Sequence, residues 1–444
     1  MDLALDVLTQ ESNANLLFDE SSDFITGNQL IHQIKKLTLE LKPLPSPSVL
    51  GIACDHSAST VVKILAATEA RHIVVLLPAN VSTLEKYSFA QIEYFWPTKG
   101  PINSLQIQAK HPLYEKIKQK KVAGLVLFTS STSGAPKGVV HNLTQLLQSK
   151  LQNKKKKINS MIATMSLDHI GGLNTLFSAL SVGTCLFFPS NRSPQHLCQL
   201  IQDHQIECLP TTPSFLRLLL VADLPLEHLL SSLKLITYGA EPMPEEVLQL
   251  IHSRLPKTEL KQTFGLSEVG ILKTRSASSS SNKFTFQKST HENYRIHNGF
   301  LEIKSENMML GYLNAPSPIT EDGWLQTEDF AIEDPSGIEI KGRANEVISV
   351  GGLKIYPIEI ENLLLQLPQV SDALAFAKSN PLLGQIVAVK IAVANEYAAE
   401  PQDSLRILIK KHCQNFLEKS LIPVSIEFLP EIPLTSRFKK KRTP

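Results

Sequence analysis

The chain contains the stretch Phe128-Thr129-Ser130-Ser131-Thr132-Ser133-Gly134-Ala135-Pro136-Lys137-Gly138, which follows an apolar run that begins at Leu125. Hydroxyl and backbone N–H groups donate hydrogen bonds to phosphate oxygens, and glycine lets a backbone approach them closely. The stretch therefore predicts a phosphate-binding loop at the end of a buried strand. It differs from the common P-loop, in which a lysine follows the second glycine. A polar surface turn is the alternative interpretation.

Length and composition narrow the classes of protein that this chain can be. It has 444 residues, 43% hydrophobic and 19% charged, and a net charge of +2. We expect about two or three domains, and the balanced charge gives no reason to expect nucleic acid as a partner. The five cysteines form no close pairs, which favours reduced thiols and a cytoplasmic location. We expect no signal peptide and no membrane span.

Short apolar runs alternate with helical stretches along most of the chain. This alternation predicts an α/β fold with parallel sheets covered by helices. The expected strands lie at 49–54, 72–77, 122–128, 160–165, 184–188, 233–238 and 260–264, and a helix is expected at 243–251.

A compact αβ pattern with its own apolar periodicity follows residue 345. Because it spans close to a hundred residues, we predict a separate C-terminal domain. Its expected strands lie at 347–350, 372–377, 386–392 and 424–429, with helices at about 357–367 and 404–417.

Further segments carry side chains suited to a nucleotide. Within residues 262–268, Phe264 could stack on a purine, Ser267 could reach a phosphate and Glu268 could hold Mg²⁺, which prefers oxygen ligands. Asp329 could accept both hydroxyls of a ribose, and Arg343 supplies a guanidinium for bidentate contacts. Each segment alone could also be an ordinary surface turn, and the basic tail at 437–442 could simply be solvated.

Together and in this order, the segments resemble the AMP-forming acyl-activating superfamily, which contains acyl-CoA ligases, peptide-synthetase adenylation domains and luciferases. The resemblance runs by motif from about residue 125 to residue 442. It implies a large N-terminal ATP- and acyl-binding domain of packed αβ sheets (1–341) and a hinge (342–346). It also implies a smaller, mobile α+β lid (347–444) that carries a tail lysine.

The resemblance also assigns roles to individual residues. It implies that Lys137 and Lys439 offset charge on the phosphates, that Glu268 is the Mg²⁺ ligand, and that His169 lies beside the acyl pocket. Further implied ATP contacts are Thr129, Ser130, Thr132, Ser133, Gly134, Gly239, Ala240, Glu241, Phe264, Gly265, Ser267, Asp329 (the ribose carboxylate) and Arg343.

Two glycines in the expected lid suggest how the second substrate reaches the site. Gly351 and Gly352 fit the passage of a thin pantetheine arm once the lid has rotated at Asn345. A simple turn between two short strands is the alternative interpretation of this pair.

Several positions depart from the superfamily's pattern. Ser131, Glu328 and Phe438 stand where glycine is usual, Asn345 replaces the hinge aspartate, and Leu434 replaces an arginine. None of these changes removes a charged group that the chemistry needs.

The resemblance implies ATP-dependent activation of a carboxylic acid as acyl-AMP, with release of pyrophosphate, followed by transfer to the thiol of CoA. An alternative is loading of a phosphopantetheine carrier protein. A third reading, of another class, is a degenerate member that binds nucleotide or acyl ligand without turnover. We expect a fatty or other simple organic acid, because room for an apolar acyl group or a ring is left by His169, Gly171, Gly172, Gly239 and Gly265.

Overall fold

A computed structural model describes residues 13–80, 84–129, 136–151, 158–287, 292–381, 383–435 and 438–440 of the chain. Three large sheets and their helices precede residue 344, and a smaller α+β unit follows it. The predicted α/β fold class, with a large N-terminal and a smaller C-terminal domain, is confirmed. No helix in these described ranges is long and apolar enough to cross a membrane.

The strands, in chain order, are β1 (Asn15–Asp19), β2 (Asp23–Thr26), β3 (Val49–Cys54), β4 (Ile73–Pro78), β5 (Tyr94–Trp96), β6 (Asn103–Ser104), β7 (Gly124–Thr129), β8 (Lys137–Asn142), β9 (Ser160–Ile162), β10 (Cys185–Phe188), β11 (Cys208–Thr211), β12 (Leu235–Tyr238), β13 (Glu259–Gln262), β14 (Phe264–Leu266), β15 (Gly270–Leu272), β16 (Thr274–Ser276), β17 (Phe284–Phe286), β18 (Glu292–His297), β19 (Phe300–Ser305), β20 (Gly311–Tyr312), β21 (Leu325–Asp334), β22 (Gly337–Arg343), β23 (Ile348–Val350), β24 (Leu353–Ile355), β25 (Val370–Asn380), β26 (Gly384–Val393) and β27 (Ser425–Leu429).

The α-helices are α1 (Gly27–Leu41), α2 (Ala58–Glu69), α3 (Pro112–Lys120), α4 (Leu143–Leu151), α5 (Ile170–Val182), α6 (Pro194–Asp203), α7 (Pro213–Val221), α8 (Leu226–Leu229), α9 (Glu245–Arg254), α10 (Pro357–Leu365) and α11 (Gln402–Gln414). Short 3₁₀ segments occupy Glu85–Ala90, Ala344–Glu346, Asn395–Tyr397 and Lys419–Leu421.

The first seven-stranded sheet has the order β20-β8-β7-β4-β3-β5-β6. Strands β3, β4 and β7 are parallel and almost entirely buried, as expected for Val/Ile/Leu runs with both faces covered. Strand β8 runs antiparallel to β7 because the segment 130–136 is too short for a crossover connection. The predicted parallel sheet is therefore a mixed sheet.

The second seven-stranded sheet has the order β13-β12-β11-β9-β10-β1-β2, and all of its neighbouring strands from β13 to β1 are parallel. Two of its helices, α6 and α7, begin at an N-cap residue whose side chain accepts a backbone hydrogen bond. The Thr212 hydroxyl accepts a hydrogen bond from the Phe215 N–H at the start of α7, and Ser193 does the same for α6. A proline follows each cap at the first helical position, where its missing N–H costs nothing.

A third, antiparallel sheet of six strands, β16-β17-β22-β21-β19-β18, occupies the end of the large domain. Phe264, Phe284 and Leu301 belong to its core, which is separate from the cores of the two parallel layers. This sheet was not predicted. Two of its strands, β16 and β17, are only three residues long and carry no periodic signal, whereas β21 does alternate buried and exposed positions over most of its length.

The small C-terminal unit packs α10 and α11 on the sheet β25-β26-β27 around its own apolar core. Its strands and helices fall within about three residues of the predicted ones. Strand β25 (Val370–Asn380) is longer than the predicted 372–377 because it pairs along nearly all of β26. The exact domain and hinge boundaries remain a prediction.

Candidate active site

The ends of the predicted phosphate loop are neighbours in the first sheet. Thr129 is the last residue of β7 and Lys137 the first residue of β8, and the two are paired across the ladder. Both therefore lie at the edge where the parallel strands β3 and β4 also end. The predicted contacts between them lie outside the described residues: Ser130, Thr132, Ser133 and Gly134, together with the departure Ser131.

Tyr312 connects Lys137 to Glu268. The Tyr312 hydroxyl donates a hydrogen bond of 2.7 Å to Glu268 Oε1, and Lys137 Nζ lies 5.2 Å from the centroid of the same ring. Strand β20 places the ring there, because Tyr312 is paired with Val139, two residues along β8 from Lys137. Burial and the Glu268 carboxylate raise the Tyr312 pKa, so the phenol stays protonated and donates.

The backbone fixes the position of Glu268 in the turn between β14 and β15. The Met309 N–H donates to the Glu268 carbonyl at 2.7 Å, and His141 Nε2 contacts the carbonyl of Ser267. Burial lowers the pKa of His141 to about 4, so its ring is neutral and its N–H can donate to that carbonyl. These contacts to the carbonyls of Ser267 and Glu268 fix the backbone at Glu268.

One carboxylate fits the predicted Mg²⁺. This ion keeps several waters and binds through one or two carboxylates together with substrate phosphates, rather than in an all-protein cage. No group of three or more His, Cys, Asp or Glu side chains suited to a metal occurs among the described residues. Glu268 would hold the ion in the turn between β14 and β15.

Asp329 and Arg343 form an ion pair across β21 and β22. Arg343 Nε lies 3.1 Å from Asp329 Oδ1, and the two residues are paired in the ladder. Burial raises the Asp329 pKa to about 6, although Arg343 opposes the rise, and the charge of Glu268 adds to it. The Asp329–Arg343 pair and the Glu268–Tyr312 pair therefore belong to one electrostatic site.

Two departures from the glycine pattern keep the backbone conformation that a glycine would supply. Glu328 has φ of 62° and Phe438 has φ of 53°, both in the left-handed region that glycine enters most easily. Asn345 lies in the 3₁₀ segment between β22 and β23.

The predicted adenine segment lies directly after β12. A Cβ on Gly239 would come 2.5 Å from the Thr263 carbonyl, so the backbone passes close to the end of β13. Glu241 is used within the protein, because its Oε1 accepts a hydrogen bond of 2.9 Å from the Ser214 N–H at the start of α7. Burial raises the Glu241 pKa. Ala240, with φ of 74°, leaves mainly backbone groups to face a ligand.

The structure places Phe264 in the core and not in an open cleft. Its ring is 9% exposed. It stacks on Phe284 at 6.1 Å and meets the edge of Phe286 at 5.6 Å. The expectation that this ring stacks on a purine loses its geometric support, because both aromatic neighbours belong to the third sheet.

His169 begins helix α5, but the glycines around it do not open a pocket. A Cβ on Gly171 would meet Met165 Sδ at 2.6 Å, and one on Gly172 would meet the Ser166 carbonyl at 2.1 Å. At Gly265 a Cβ would lie 2.3 Å from Ile271. These glycines permit close packing of protein on protein, so their lack of a side chain does not by itself open space for an acyl group, and the place of that group remains a prediction. His169 Nε2 lies 4.0 Å from Asp168 Oδ2.

The C-terminal tail enters the cleft between the two domains. The Thr212 hydroxyl donates to the Phe438 carbonyl at 2.7 Å. The Phe438 ring packs on Phe215 at 4.9 Å, with the guanidinium of Arg192 5.2 Å from its centroid. Lys439 follows directly, and its charge acts on Glu241 at the predicted adenine segment.

Gly351 and Gly352 form the tip of the hairpin between β23 and β24. Their φ angles are +57° and +91°, as a two-residue hairpin turn requires, and Val350 is paired with Leu353 across it. Nothing lies within 4 Å of a Cβ built on either glycine. The geometry agrees with the simple-turn alternative, and passage of a pantetheine arm remains a prediction.

Sequence reasoning missed several residues of this site. Tyr312 lies in a two-residue strand that has no periodic signal, although Gly311-Tyr312 after an apolar pair is a usable turn-to-strand cue. Arg217 lies in an apolar helix and Arg192 among polar residues, and neither gave a signal of its contacts. Lys440 was taken as part of a solvated basic tail, but its side chain is only 5% exposed.

Family models match most of the chain. The model for the AMP-binding enzyme matches residues 49–313, and the model for the AMP-binding enzyme C-terminal domain matches residues 359–439. The first range contains Lys137, Glu268 and Tyr312, and the second contains Lys439. The two matched ranges lie one in each of the two structural units.

Curated relatives of similar sequence are ligases by name. The chain is 26% identical over 399 residues to the 2-succinylbenzoate–CoA ligase of Bacillus cytotoxicus, which covers 84% of this chain and 78% of that protein. It is 25% identical over 389 residues to 4-coumarate–CoA ligase 2 of Nicotiana tabacum, covering 79% of this chain and 71% of that protein.

Solved structures share the fold. An anthranilate CoA ligase in complex with anthranoyl-AMP superimposes with a TM-score of 0.79 at 16% identity, covering 98% of this chain and 95% of that one. The o-succinylbenzoate CoA synthetase from Bacillus subtilis, in complex with its acyl-adenylate, gives a TM-score of 0.75 at 18% identity, covering 100% and 97%.

Proposed function

We propose, from the premise that this chain belongs to the AMP-binding enzyme family, that it is an AMP-forming acid–thiol ligase of the acyl-CoA synthetase type. It activates a carboxylic acid with ATP, releases pyrophosphate, and transfers the acyl group to the thiol of CoA. Ligase relatives that cover most of the chain support this reaction.

The observation that carries the proposal is the convergence of four charged groups from distant parts of the chain. Lys137 and Glu268 share Tyr312 as a neighbour, and the charge of Glu268 acts on Asp329 and Arg343. A fifth charged group, Lys439, follows Phe438 at the interdomain cleft, where its charge acts on Glu241. Cations for phosphates and a carboxylate for a ribose are the groups that an adenylation site needs.

In the first half-reaction, a carboxylate oxygen of the acid attacks the α-phosphorus of ATP, and the bond to pyrophosphate breaks. Lys137 and Lys439 stabilise the negative charge that develops on the phosphate oxygens. Mg²⁺ held by Glu268 would supply further charge stabilisation. Asp329 holds the ribose and backbone groups at 239–241 hold the base, so the protein contributes mainly position and electrostatics.

In the second half-reaction, a thiolate attacks the acyl carbonyl carbon, and AMP leaves. The lid would rotate at 342–346, withdraw Lys439 and bring the hairpin with Gly351 and Gly352 to the acyl-adenylate. Closure that excludes water is suited to such a reactive intermediate. The acceptor is CoA, with the phosphopantetheine of a carrier protein as the alternative.

Pyrophosphate exchange into ATP, measured with a panel of fatty and other simple organic acids, tests the first half-reaction. Exchange with one or more acids supports the enzyme. ATP binding without exchange for any acid supports the degenerate binder instead, the reading that Ser131, Glu328 and Phe438 motivated. Lys439→Ala is the negative control for exchange.

The acceptor is tested in a second experiment with the acid that supports exchange. Mass spectrometry of the products formed with free CoA, or with a phosphopantetheinylated carrier protein, identifies the thioester. A CoA thioester, formed until the limiting substrate is used up, supports the proposal. A thioester formed only on the carrier protein would show that the carrier, and not CoA, is the acceptor.

A further inference from the structure

Lys440 is a buried cation inside the lid. Its side chain is 5% exposed, and Nζ lies 2.9 Å from Asp372 Oδ1 and 3.6 Å from Glu361 Oε2. The same ammonium donates to the Ala373 carbonyl at 2.6 Å. Glu361 belongs to α10 and the other two partners to β25, so every one of these contacts is made within the C-terminal domain.

The carboxylates that receive Lys440 are themselves fixed. Glu361 is 1% exposed, and its Oε1 accepts a hydrogen bond of 3.0 Å from the Ala375 N–H. A buried ammonium is tolerated only when it is paired and its hydrogen bonds are satisfied. Two carboxylates and a carbonyl meet that requirement. The position of Lys440 against the lid is therefore tightly specified.

The preceding residues are held by the opposite domain. The Phe438 carbonyl accepts a hydrogen bond of 2.7 Å from Thr212, at the start of α7. The tail closes on itself through Thr435 N–H to the Lys439 carbonyl at 2.8 Å and a bridge between Leu434 and Lys440. Lys439 thus lies between a residue bound to the N-terminal domain and a residue bound to the lid.

Phe438 and Lys440 hold Lys439 from opposite sides of the interdomain cleft. The Phe438 ring packs on Phe215 of the large domain, whereas the Lys440 ammonium is bound within the lid. The backbone turns between the two, with φ of 53° at Phe438. Lys439 is thereby kept at the boundary of the two domains, where the charges of both lysines act on Glu241.

We propose that Lys440 is a positioning residue that aims Lys439 at the nucleotide, because its buried contacts with Glu361, Asp372 and Ala373 fix the register and orientation of the tail. The inference rests on the proposed function, since Lys439 acts in adenylation. It also separates two adjacent lysines, one that reaches the phosphates and one that never leaves the lid.

The test compares the two half-reactions in Lys440→Met. This substitution keeps the length of the side chain and removes its charge. Pyrophosphate exchange falls at least tenfold, while thioester formation from supplied acyl-AMP stays within twofold of the unaltered enzyme. Lys410→Met, the same change at an exposed position of α11, leaves both rates unchanged. Equal losses in both half-reactions, or no loss of exchange, would overturn the inference.

A milder variant covers the case in which Lys440→Met does not fold. Asp372→Asn keeps an acceptor for Lys440 but removes one negative charge, so exchange falls about threefold to tenfold with thioester formation again spared. A folded Asp372→Asn with unchanged exchange contradicts the role of the anchor.

A chemical measurement tests the anchor without any reference to activity. Acetylation with a limiting amount of an amine-reactive reagent, followed by peptide mass spectrometry, reports the accessibility of each lysine. Lys440 reacts at least tenfold more slowly than Lys410, and Asp372→Asn raises its rate. Equal rates for Lys440 and Lys410 would show that Lys440 is not held by its buried contacts in the lid. If Lys440 is protected in the unaltered protein but no acid supports pyrophosphate exchange, the result contradicts the proposed function and not the anchor.

Discussion

The Tyr312 hydroxyl donates a hydrogen bond of 2.7 Å to Glu268 Oε1. The same ring lies 5.2 Å from Lys137 Nζ, so one side chain joins the end of the phosphate loop to the predicted Mg²⁺ ligand. The relationship follows from the register of β20 on β8, which places Tyr312 opposite Val139 and on the face that Lys137 shares. We expect Tyr312 to orient both charged groups before the nucleotide arrives.

Tyr312→Phe tests the hydrogen bond alone, because the ring beneath Lys137 remains. A hydrogen bond to a charged group contributes about 1.5–3 kcal/mol, so we expect pyrophosphate exchange to fall roughly tenfold or more. Half-maximal exchange should also need more Mg²⁺, since Glu268 becomes less well oriented. Tyr312→Leu, which removes the ring as well, should lose more. An unaltered Mg²⁺ titration in Tyr312→Phe would contradict this role.

The raised pKa of Asp329 predicts a pH dependence of nucleoside binding. The ionised carboxylate accepts hydrogen bonds from two ribose hydroxyls, and it forms as the pH rises through about 6. Adenosine affinity, measured by calorimetry, should therefore increase between pH 5 and pH 7, and adenosine itself does not titrate there. Asp329→Asn should bind adenosine more weakly above pH 7 and show no such increase.

The Asp329 carboxyl group also contributes to the stability of the fold, and this contribution falls as the pH rises, whereas the adenosine affinity increases. The folded-state pKa of Asp329, about 6, lies above its ordinary value of 3.8, so the folded protein binds this proton more tightly than the unfolded chain. The stabilisation is complete below pH 4 and is lost as the pH rises through 6. Asp329→Asn should remove this component from the dependence of the melting temperature on pH, and an unchanged dependence would argue against the raised pKa.

Lys439→Ala should separate the two half-reactions. The lysine acts on the phosphates only while the tail lies in the cleft, so adenylate formation should fall by about a hundredfold or more. Thioester formation from supplied acyl-AMP should be nearly unchanged. Equal losses in both reactions would show that Lys439 does not belong to the first conformation alone.

Arg217 links the large domain to the lid by hydrogen bonds. From α7 it donates to the carbonyls of Ser371 and, at 3.2 Å, of Val370, both at the start of β25. In Arg217→Met these buried carbonyls lose their donors, which costs about 1–3 kcal/mol for each group. We expect the lid to open more often, with faster proteolysis near 342–346 and slower pyrophosphate exchange.

Arg254→Met is the matched control for the Arg217 experiment. Arg254, on α9, also donates to a carbonyl, that of Leu224 at 3.0 Å, and pairs with Glu227, so these contacts lie within the large domain. Proteolysis at the hinge should be unchanged in this variant. Equal effects of the two substitutions would mean that the response reports general destabilisation.

The long, buried strands were predictable from the sequence. Their residues form continuous apolar runs, as is typical of strands in a sheet that is covered on both faces. The expected strand 49–54 has the bounds observed for β3, and that expected at 72–77 is shifted by one residue in β4. The short strands β16, β17 and β20 have too few residues to carry a period, and so they and the placement of Tyr312 were not foreseen. The longer β21 alternates buried and exposed positions, but it was not predicted either.

The sequence alone predicts which chemical groups the site uses, because the order of Lys137, Glu268, Asp329, Arg343 and Lys439 is a property of the chain. It could not assign each side chain to core or cleft. Phe264 faces the core although its motif suggested a ligand, and Lys440 is buried although its neighbours in sequence are basic. Those outcomes depend on contacts between residues far apart in the chain. Only the packing of the lid against its own tail distinguishes two lysines that are identical and adjacent.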